Sequence, residues 1–302
     1  MIEKIDENLY REYLDKWFEG IEYEIHFWQF YIENKGKCYD SNFDDVIKNT
    51  LPFDYEEIIT KKETKFLDVG SGPFSCGLKT DLTKFEAYAV DPLAYIYKSL
   101  KKKYNISSGI TPEFAMVERL NAKFKSNEFD IVHMQNALDH SFNPLLGIYS
   151  MIDVCKIGGK IILHHKENEA ETENYRGFHQ WNVSIKNSEF IIWRPGTELN
   201  VTKILEDYVD VISIGKKKPY DTIKIILVKN KDIMRSQITQ QSYILEEKVF
   251  EKISEYMVNN VYKSGKRPFG LLRRLVYKVC CRGFLGSLIY NFAMKIFYKY
   301  KN

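Results

Sequence analysis

Near the N-terminus, apolar residues recur at spacings of three and four: Leu9, Tyr13, Trp17, Ile21, Ile25, Trp28 and Ile32, with acids between them. That period places them on one helical face and predicts a helix over 3–34, stopped at Gly36. The aromatic density (Tyr23, Phe27, Trp28, Phe30, Tyr31) calls for burial, either on a domain face or as a lid over a pocket. Residues 38–64 are polar and turn-rich. The pattern then changes to short apolar runs alternating with helical stretches. Strands are predicted at Lys65–Val69, Ala87–Val90, Glu113–Val117, Phe129–Met134 and Lys160–His165, and helices at Cys76–Leu82, Pro92–Tyr104 and Pro144–Cys155. A short helix over 199–207 precedes a strand pair, Val209–Ile214 and Thr222–Val228. Such alternation means an α/β fold, a mostly parallel sheet with helices on both faces. Ligands in these sheets bind beyond the carboxyl ends of the strands, so the loops to inspect are 68–74, 91–93, 118–120, 135–143 and 164–184.

The first of these loops organises the rest. Phe66–Gly77 reads FLDVGSGPFSCG, a buried strand running into a turn with glycines at 70 and 72. Those glycines permit backbone conformations that a Cβ forbids and let a ligand lie against the main chain. Pro73 suits the first turn of a helix. A dinucleotide loop would need a third glycine where Ser75 stands, and a phosphate loop would need Gly-Lys-Ser/Thr, yet no lysine follows the glycines until Lys79.

Asp-Val-Gly-Ser-Gly-Pro instead resembles the first motif of class I S-adenosylmethionine-dependent methyltransferases, over roughly residues 60–230. The resemblance implies a Rossmann-like, seven-stranded, mostly parallel sheet and S-adenosylmethionine as cofactor. Asp68, Gly70, Ser71, Gly72 and Pro73 would hold its methionine end. Asp91, nineteen residues past Gly72 and followed by Pro92, would take the ribose. Glu118 stands where the family has an acid near the adenine amine, and Arg119 beside it departs from the pattern. Asn136, in FDIVHMQNALDHSFNP, would line the pocket where cofactor meets substrate.

Asp139 and His140 offer a carboxylate–imidazole pair there. Methylating a hydroxyl requires proton removal, and a histidine oriented by a carboxylate is an efficient base. Alternatively, Asp139 caps a helix and His140 is a partly exposed neighbour. Asn143-Pro144 lacks the signature of amino-methylating DNA enzymes, and no nucleic-acid partner is expected. The stretch His164–Asn182 is the most polar in the chain. His165 and His179 are further candidates for the base. Glu169, Tyr175, Arg176 and Trp181 would recognise a sugar or phosphorylated substrate, Arg176 by clamping an anion and Trp181 by stacking. His165-x-x-x-Glu169 with His179 has metal-ligand types, but nothing fixes them on one face, so no metal is assigned. The Tyr-x-Gly-x-His-Gln-Trp-Asn pattern resembles methyltransferases of bacterial capsule and surface-glycan assembly. The rival readings are a methyltransferase for a small metabolite or nitrogen acceptor, and a silent partner of a membrane-associated glycosyltransferase.

Composition adds the boundaries. At 302 residues, 44% hydrophobic and 15% aromatic, the chain can build one large core with appendages. Residues 1–60 read as a helical cap, 61–230 as the catalytic domain and 231–302 as a helical extension. Five scattered cysteines and a charged N-terminus without an apolar leader suggest a reduced, cytoplasmic protein. The net charge of +3 conceals an asymmetry: residues 261–302 hold ten Lys/Arg and no acid. That basic, amphipathic tail is too short in its uncharged run to span a bilayer, and it suits the inner-membrane surface as a peripheral contact.

Overall fold

A computed structural model describes residues 7–36, 43, 64–75, 85–107, 110–217, 222–233 and 242–259. Its elements in chain order are α1 (Glu7–Glu33), β1 (Thr64–Val69), β2 (Phe85–Val90), α2 (Ala94–Lys103), α3 (Leu120–Lys123), β3 (Phe129–Gln135) and α4 (Pro144–Val154). There follow β4 (Cys155–Lys166), α5 (Glu169–Thr172), β5 (Asn182–Lys186), β6 (Glu189–Arg194), β7 (Thr197–Asn200), α6 (Val201–Ile204), β8 (Val209–Lys217), β9 (Thr222–Lys229) and α7 (Ser242–Met257). The helix expected at Cys76–Leu82 and the basic tail at 261–302 lie outside the described residues. Among the described residues, no helix is long and apolar enough to cross a membrane.

The main sheet runs β2-β1-β3-β4-β9-β8. Strands β2, β1, β3 and β4 are parallel; β9 pairs antiparallel with β4, and the edge strand β8 pairs antiparallel with β9 and so runs the same way as the first four. The α/β architecture is thus as expected, but the described sheet is mixed and has six strands rather than seven. The missing strand is Glu113–Val117, which makes one parallel bridge, Val90 to Glu113, and then turns. Pro112 has no N–H to give a ladder. Its successors Val117–Arg119 form a 3₁₀ turn whose two charged side chains are buried and point to separate partners.

Apolar runs on β1, β3 and β4 build the core. Phe66, Leu67, Val132, Ile161, Ile162 and Leu163 have no accessible surface. A second cluster is seeded by α1, whose Leu14, Trp17, Ile21 and Ile25 pack with Leu93, Tyr97, Phe142 and Phe178. Each such side chain, fully buried, contributes about 1.5–3 kcal/mol. The expected stop of α1 holds: Gly36 takes φ +67° and its N–H donates to the Tyr31 carbonyl at 2.9 Å. Helix α4 starts where Asn143 Oδ1 accepts from Leu146 N at 3.0 Å with Pro144 behind it.

The predicted strand Lys160–His165 lies within β4, which pairs with β9 as far as Lys166 with Thr222, so the loop expected from residue 164 begins only after Lys166. The polar stretch then leads into a second, three-stranded antiparallel sheet, β5-β6-β7, where a helix over 199–207 was expected in part. Only Val201–Ile204 is helical, opened by Asn200 accepting from Lys203 N at 3.2 Å.

Candidate active site

The glycine turn after β1 folds back on β2. The N–H groups of Gly70 and Ser71 both donate to the Val90 carbonyl, at 2.9 and 3.2 Å. Gly70 and Gly72 take φ of +64° and +59°, left-handed values that favour glycine. A Cβ on Gly70 would lie 2.5 Å from Ala137 Cβ, and one on Gly72 would lie 2.7 Å from a ring carbon of Trp28. The turn is therefore wedged between the end of β3 and helix α1.

Two buried carboxylates brace it. Asp91 Oδ2 accepts from Gly72 N at 3.0 Å and Oδ1 accepts from Leu93 N at 2.7 Å. Burial outweighs these bonds and raises the Asp91 carboxyl to about 7. Asp68 Oδ2 accepts from Ser75 Oγ at 2.7 Å, and Oδ1 lies 2.8 Å from His133 Nδ1. Asp68 thus ties the turn, through Ser75, to β3, through His133, and acts as a brace.

Above the turn lies a cavity of about 640 Å³, within the usual range for small-molecule sites. Asp68, Gly70, Ser71, Gly72, Asp91, Pro92, Glu118, Asn136, His140, Glu169 and His179 all line it. Pro73 is buried in the turn behind. Glu118 Oε1 accepts from Phe142 N and Asn143 N at 2.8 and 3.1 Å, and burial raises its carboxyl. Arg119, expected at the cofactor, faces the other way. Its Nε donates to Glu246 Oε2 at 3.1 Å and ties the turn to α7. That partner, 127 residues on, gave no local signal.

The far wall is made by the ends of β3 and β4. Asn136, at φ 45°, donates its N–H to the His164 carbonyl, while its Oδ1 accepts from Lys166 N at 3.0 Å. Next to it three side chains converge. His179 Nδ1 lies 2.7 Å from Asp139 Oδ2, and His140 Nε2 lies 3.4 Å from that oxygen and 3.3 Å from His179 Nδ1. Asp139 is buried, while the two imidazoles line the cavity. Burial pushes the Asp139 carboxyl up, but His140 and His179 together outweigh it and hold it well below the usual range. Burial depresses the His140 imidazole. It also works against a charged His179, yet the bond to Asp139 and the charges of Asp139, Glu169 and Glu173 prevail and raise that ring to about 9. Burial, then repulsion from Asp139, raises Glu169 to about 7.

Besides Pro73, Arg119 and the buried Asp139, four expected site residues do not line the cavity. His165 is buried in β4, where the pleat turns it away from the face of Lys166, and burial drops its imidazole to about 3. Trp181 is a core residue, 5% exposed, with the Arg194 guanidinium 4.0 Å above its ring. Arg176 is turned to Glu173, through Nε to the carbonyl at 3.0 Å. Tyr175 Oη accepts from Asn182 Nδ2 at 3.0 Å.

Conversely, α1, read from the sequence as either a helix on a domain face or a lid over a pocket, supplies wall residues that were not singled out individually for the site. Trp17, Tyr23, Glu24, Phe27, Trp28 and Tyr31 all line the cavity. Glu24 accepts from Trp28 Nε1 at 2.7 Å, and Trp17 Nε1 donates to the His140 carbonyl at 3.1 Å. Their aromatic density was the available signal. The missing information was which face the helix turned to the cleft.

Comparison with known proteins agrees with this geometry. Residues 67–163 match the family model described as a methyltransferase domain, about a third of the chain. No curated protein is similar enough to count as a match. Solved structures resembling the chain include the CurJ carbon methyltransferase, at 13% identity and a TM-score of 0.43, covering 59% of this chain and 51% of that one. This chain thus spans about half the length of that relative. A SAM-dependent methyltransferase from Aquifex aeolicus has 15% identity, a TM-score of 0.40, and coverage of 63% and 95%. A Listeria monocytogenes protein described as a putative S-adenosylmethionine-dependent methyltransferase has 12% identity, a TM-score of 0.40, and coverage of 58% and 96%. With TM-scores below 0.5, none of these three bears on what this chain does. The family match, laid on the glycine turn and β1–β4, indicates S-adenosylmethionine as the cofactor.

Proposed function

We propose that this protein transfers a methyl group from S-adenosylmethionine to a hydroxyl oxygen of a neutral, sugar-like acceptor, an intermediate of surface-polysaccharide assembly such as capsule. The observation that carries this reading is the Asp139–His140–His179 cluster, set into the wall of the same cavity as the glycine turn. When bound, the donor supplies an electrophilic methyl carbon on a sulfonium. Gly70–Gly72, Asp91 and Glu118 would hold and orient it, and the cluster would accept the acceptor's hydroxyl proton as the methyl group passes from sulfur to oxygen, giving a methyl ether, S-adenosylhomocysteine and one proton.

A neutral acceptor suits the wall chemistry better than a phosphorylated one. Among the described residues that line the cavity, Lys166 is the one lysine or arginine, against the carboxylates of Glu24, Glu169 and Glu173. Arg176, the anion clamp expected from sequence, faces Glu173. Aromatic faces on α1 give a sugar ring an apolar surface, and the carboxylates accept from its hydroxyls. Labelled methyl transfer to a panel of neutral glycans and their phosphorylated counterparts tests this. Label is expected in ether linkage on the neutral members; label on nitrogen, or on phosphorylated members alone, would contradict it.

Asp91 sets a pH dependence for donor binding. Its carboxyl is raised from the ordinary 3.8 to about 7, so it is neutral below that pH and ionised above it. Ribose hydroxyls donate best to the ionised form, so the dissociation constant should fall several-fold between about pH 6 and pH 8. Asp91→Asn should remove the dependence; an unchanged pH profile in that variant would rule Asp91 out as its source. The basic segment 261–302 completes the proposal as a contact with an anionic membrane surface. Flotation with anionic liposomes should be lost in a 1–260 truncation, and equal flotation would exclude that contact.

A further inference from the structure

We infer that Asp139, His140 and His179 form a binding site for a divalent transition-metal ion facing the cavity. Among the described residues these three are the one group whose His, Cys or carboxylate donor atoms converge closely enough to share an ion. Two of their separations, 3.3 and 3.4 Å, lie within what one ion requires, and the third, 2.7 Å, is shorter and would open slightly on binding. Ligand atoms bound at ~2.0–2.2 Å, at angles between right and tetrahedral, stand about 2.9–3.5 Å apart.

The orientation of the donors matters as much as their spacing. Both imidazoles aim a ring nitrogen, Nε2 of His140 and Nδ1 of His179, at the same carboxylate oxygen. A single shared proton satisfies one of those nitrogens directly, whereas a cation takes all three lone pairs at once. Asp139 is buried behind, and both histidines line the cavity, so free coordination positions face the cleft. Three protein ligands with an open side is the arrangement of catalytic rather than structural metal sites. The segment carrying His140 is pinned by the bond from Trp17 Nε1 to its carbonyl, and Gln180 N donates to the Asp139 carbonyl at 3.1 Å. Two imidazole nitrogens and one carboxylate oxygen suit zinc, manganese, iron or cobalt, and suit magnesium or calcium poorly.

The inference rests on the oxygen-methylation reading and deepens it. An acceptor hydroxyl bound to the ion loses its proton more readily, with Glu169 on the same wall to receive it. The alkoxide attacks the methyl carbon, the carbon–sulfur bond breaks, and sulfur keeps the electron pair. The ion changes no oxidation state.

Tag-free full-length protein, stripped with chelator, can be titrated with Mn²⁺ by electron paramagnetic resonance and with Zn²⁺ by calorimetry. The expected result is one ion per chain, weakened at least ~10-fold in both His140→Gln and Asp139→Asn, with Mg²⁺ a poor competitor. The wild-type titration stands whatever the variants do to folding. Absence of Mn²⁺ and Zn²⁺ binding, or binding undiminished in both variants, would overturn the site. Methyl transfer that survives chelation would also overturn it, while leaving the cluster as a metal-free base and the reading of function intact.

Discussion

Replacing His179 by glutamine is expected to lower turnover by ~10²–10⁴-fold while leaving the dissociation constant for S-adenosylmethionine within about twofold. Glutamine keeps a hydrogen-bonding amide of similar reach but can neither hold a proton beside Asp139 nor ligate an ion as imidazole does. The loss follows whether the cluster works with a shared proton or with a cation, because His179 Nδ1 is the atom nearest Asp139 Oδ2, at 2.7 Å. Donor affinity should survive because the donor's contacts come from the ends of β1 and β2, whereas His179 follows β4. The split between turnover and binding separates a chemical role from a structural one. Turnover within about threefold of wild type would remove His179 from the chemistry.

The second large effect is expected at the glycine turn. Gly70→Val should destabilise the fold by roughly 2–5 kcal/mol and weaken donor binding at least tenfold. At φ +64° an L-residue is strained, and the new Cβ would sit 2.5 Å from the Cβ of Ala137, an atom with no torsion to swing aside. Either the turn lifts off the Val90 carbonyl or the end of β3 moves, and both displace cavity walls. Gly158→Ala is the matched comparison. It has φ +76° but nothing within 4 Å of a new Cβ, so it should show only the backbone strain and bind donor normally. Thermal denaturation and calorimetry on the pair measure both effects. Equal behaviour of the two variants would mean that the Ala137 contact is unimportant.

What was legible in the sequence was local. The apolar runs of β1, β3 and β4, the turn residues Gly70 and Gly72 and the closing pair β8–β9 each announce themselves within a dozen residues. The meeting of Asp139 and His140 with His179 was legible at one remove. Adjacent parallel strands must place their carboxyl ends side by side, and β3 and β4 do so. Long-range partners were not legible. Arg119, grouped with Glu118 at the cofactor although it departs from the family pattern, has its charge met by Glu246 on α7. Trp181 looked like a stacking platform, but it is covered by Arg194 of the neighbouring strand. The second sheet left a signal that went unused: Asn187 and Ser188, both at positive φ, form a two-residue turn between the apolar runs of β5 and β6. In Glu113–Val117 the apolar run was real, but Pro112 denied it a ladder.

The account turns on a sulfonium donor lying over the glycine turn with its sugar at Asp91. Calorimetric titration of the full-length protein with S-adenosylmethionine tests that most directly. Saturable one-to-one binding, weakened strongly in Gly70→Val and within about twofold of wild type in His179→Gln, is the predicted result. Absence of binding by the wild-type protein, or binding untouched by Gly70→Val, would contradict it.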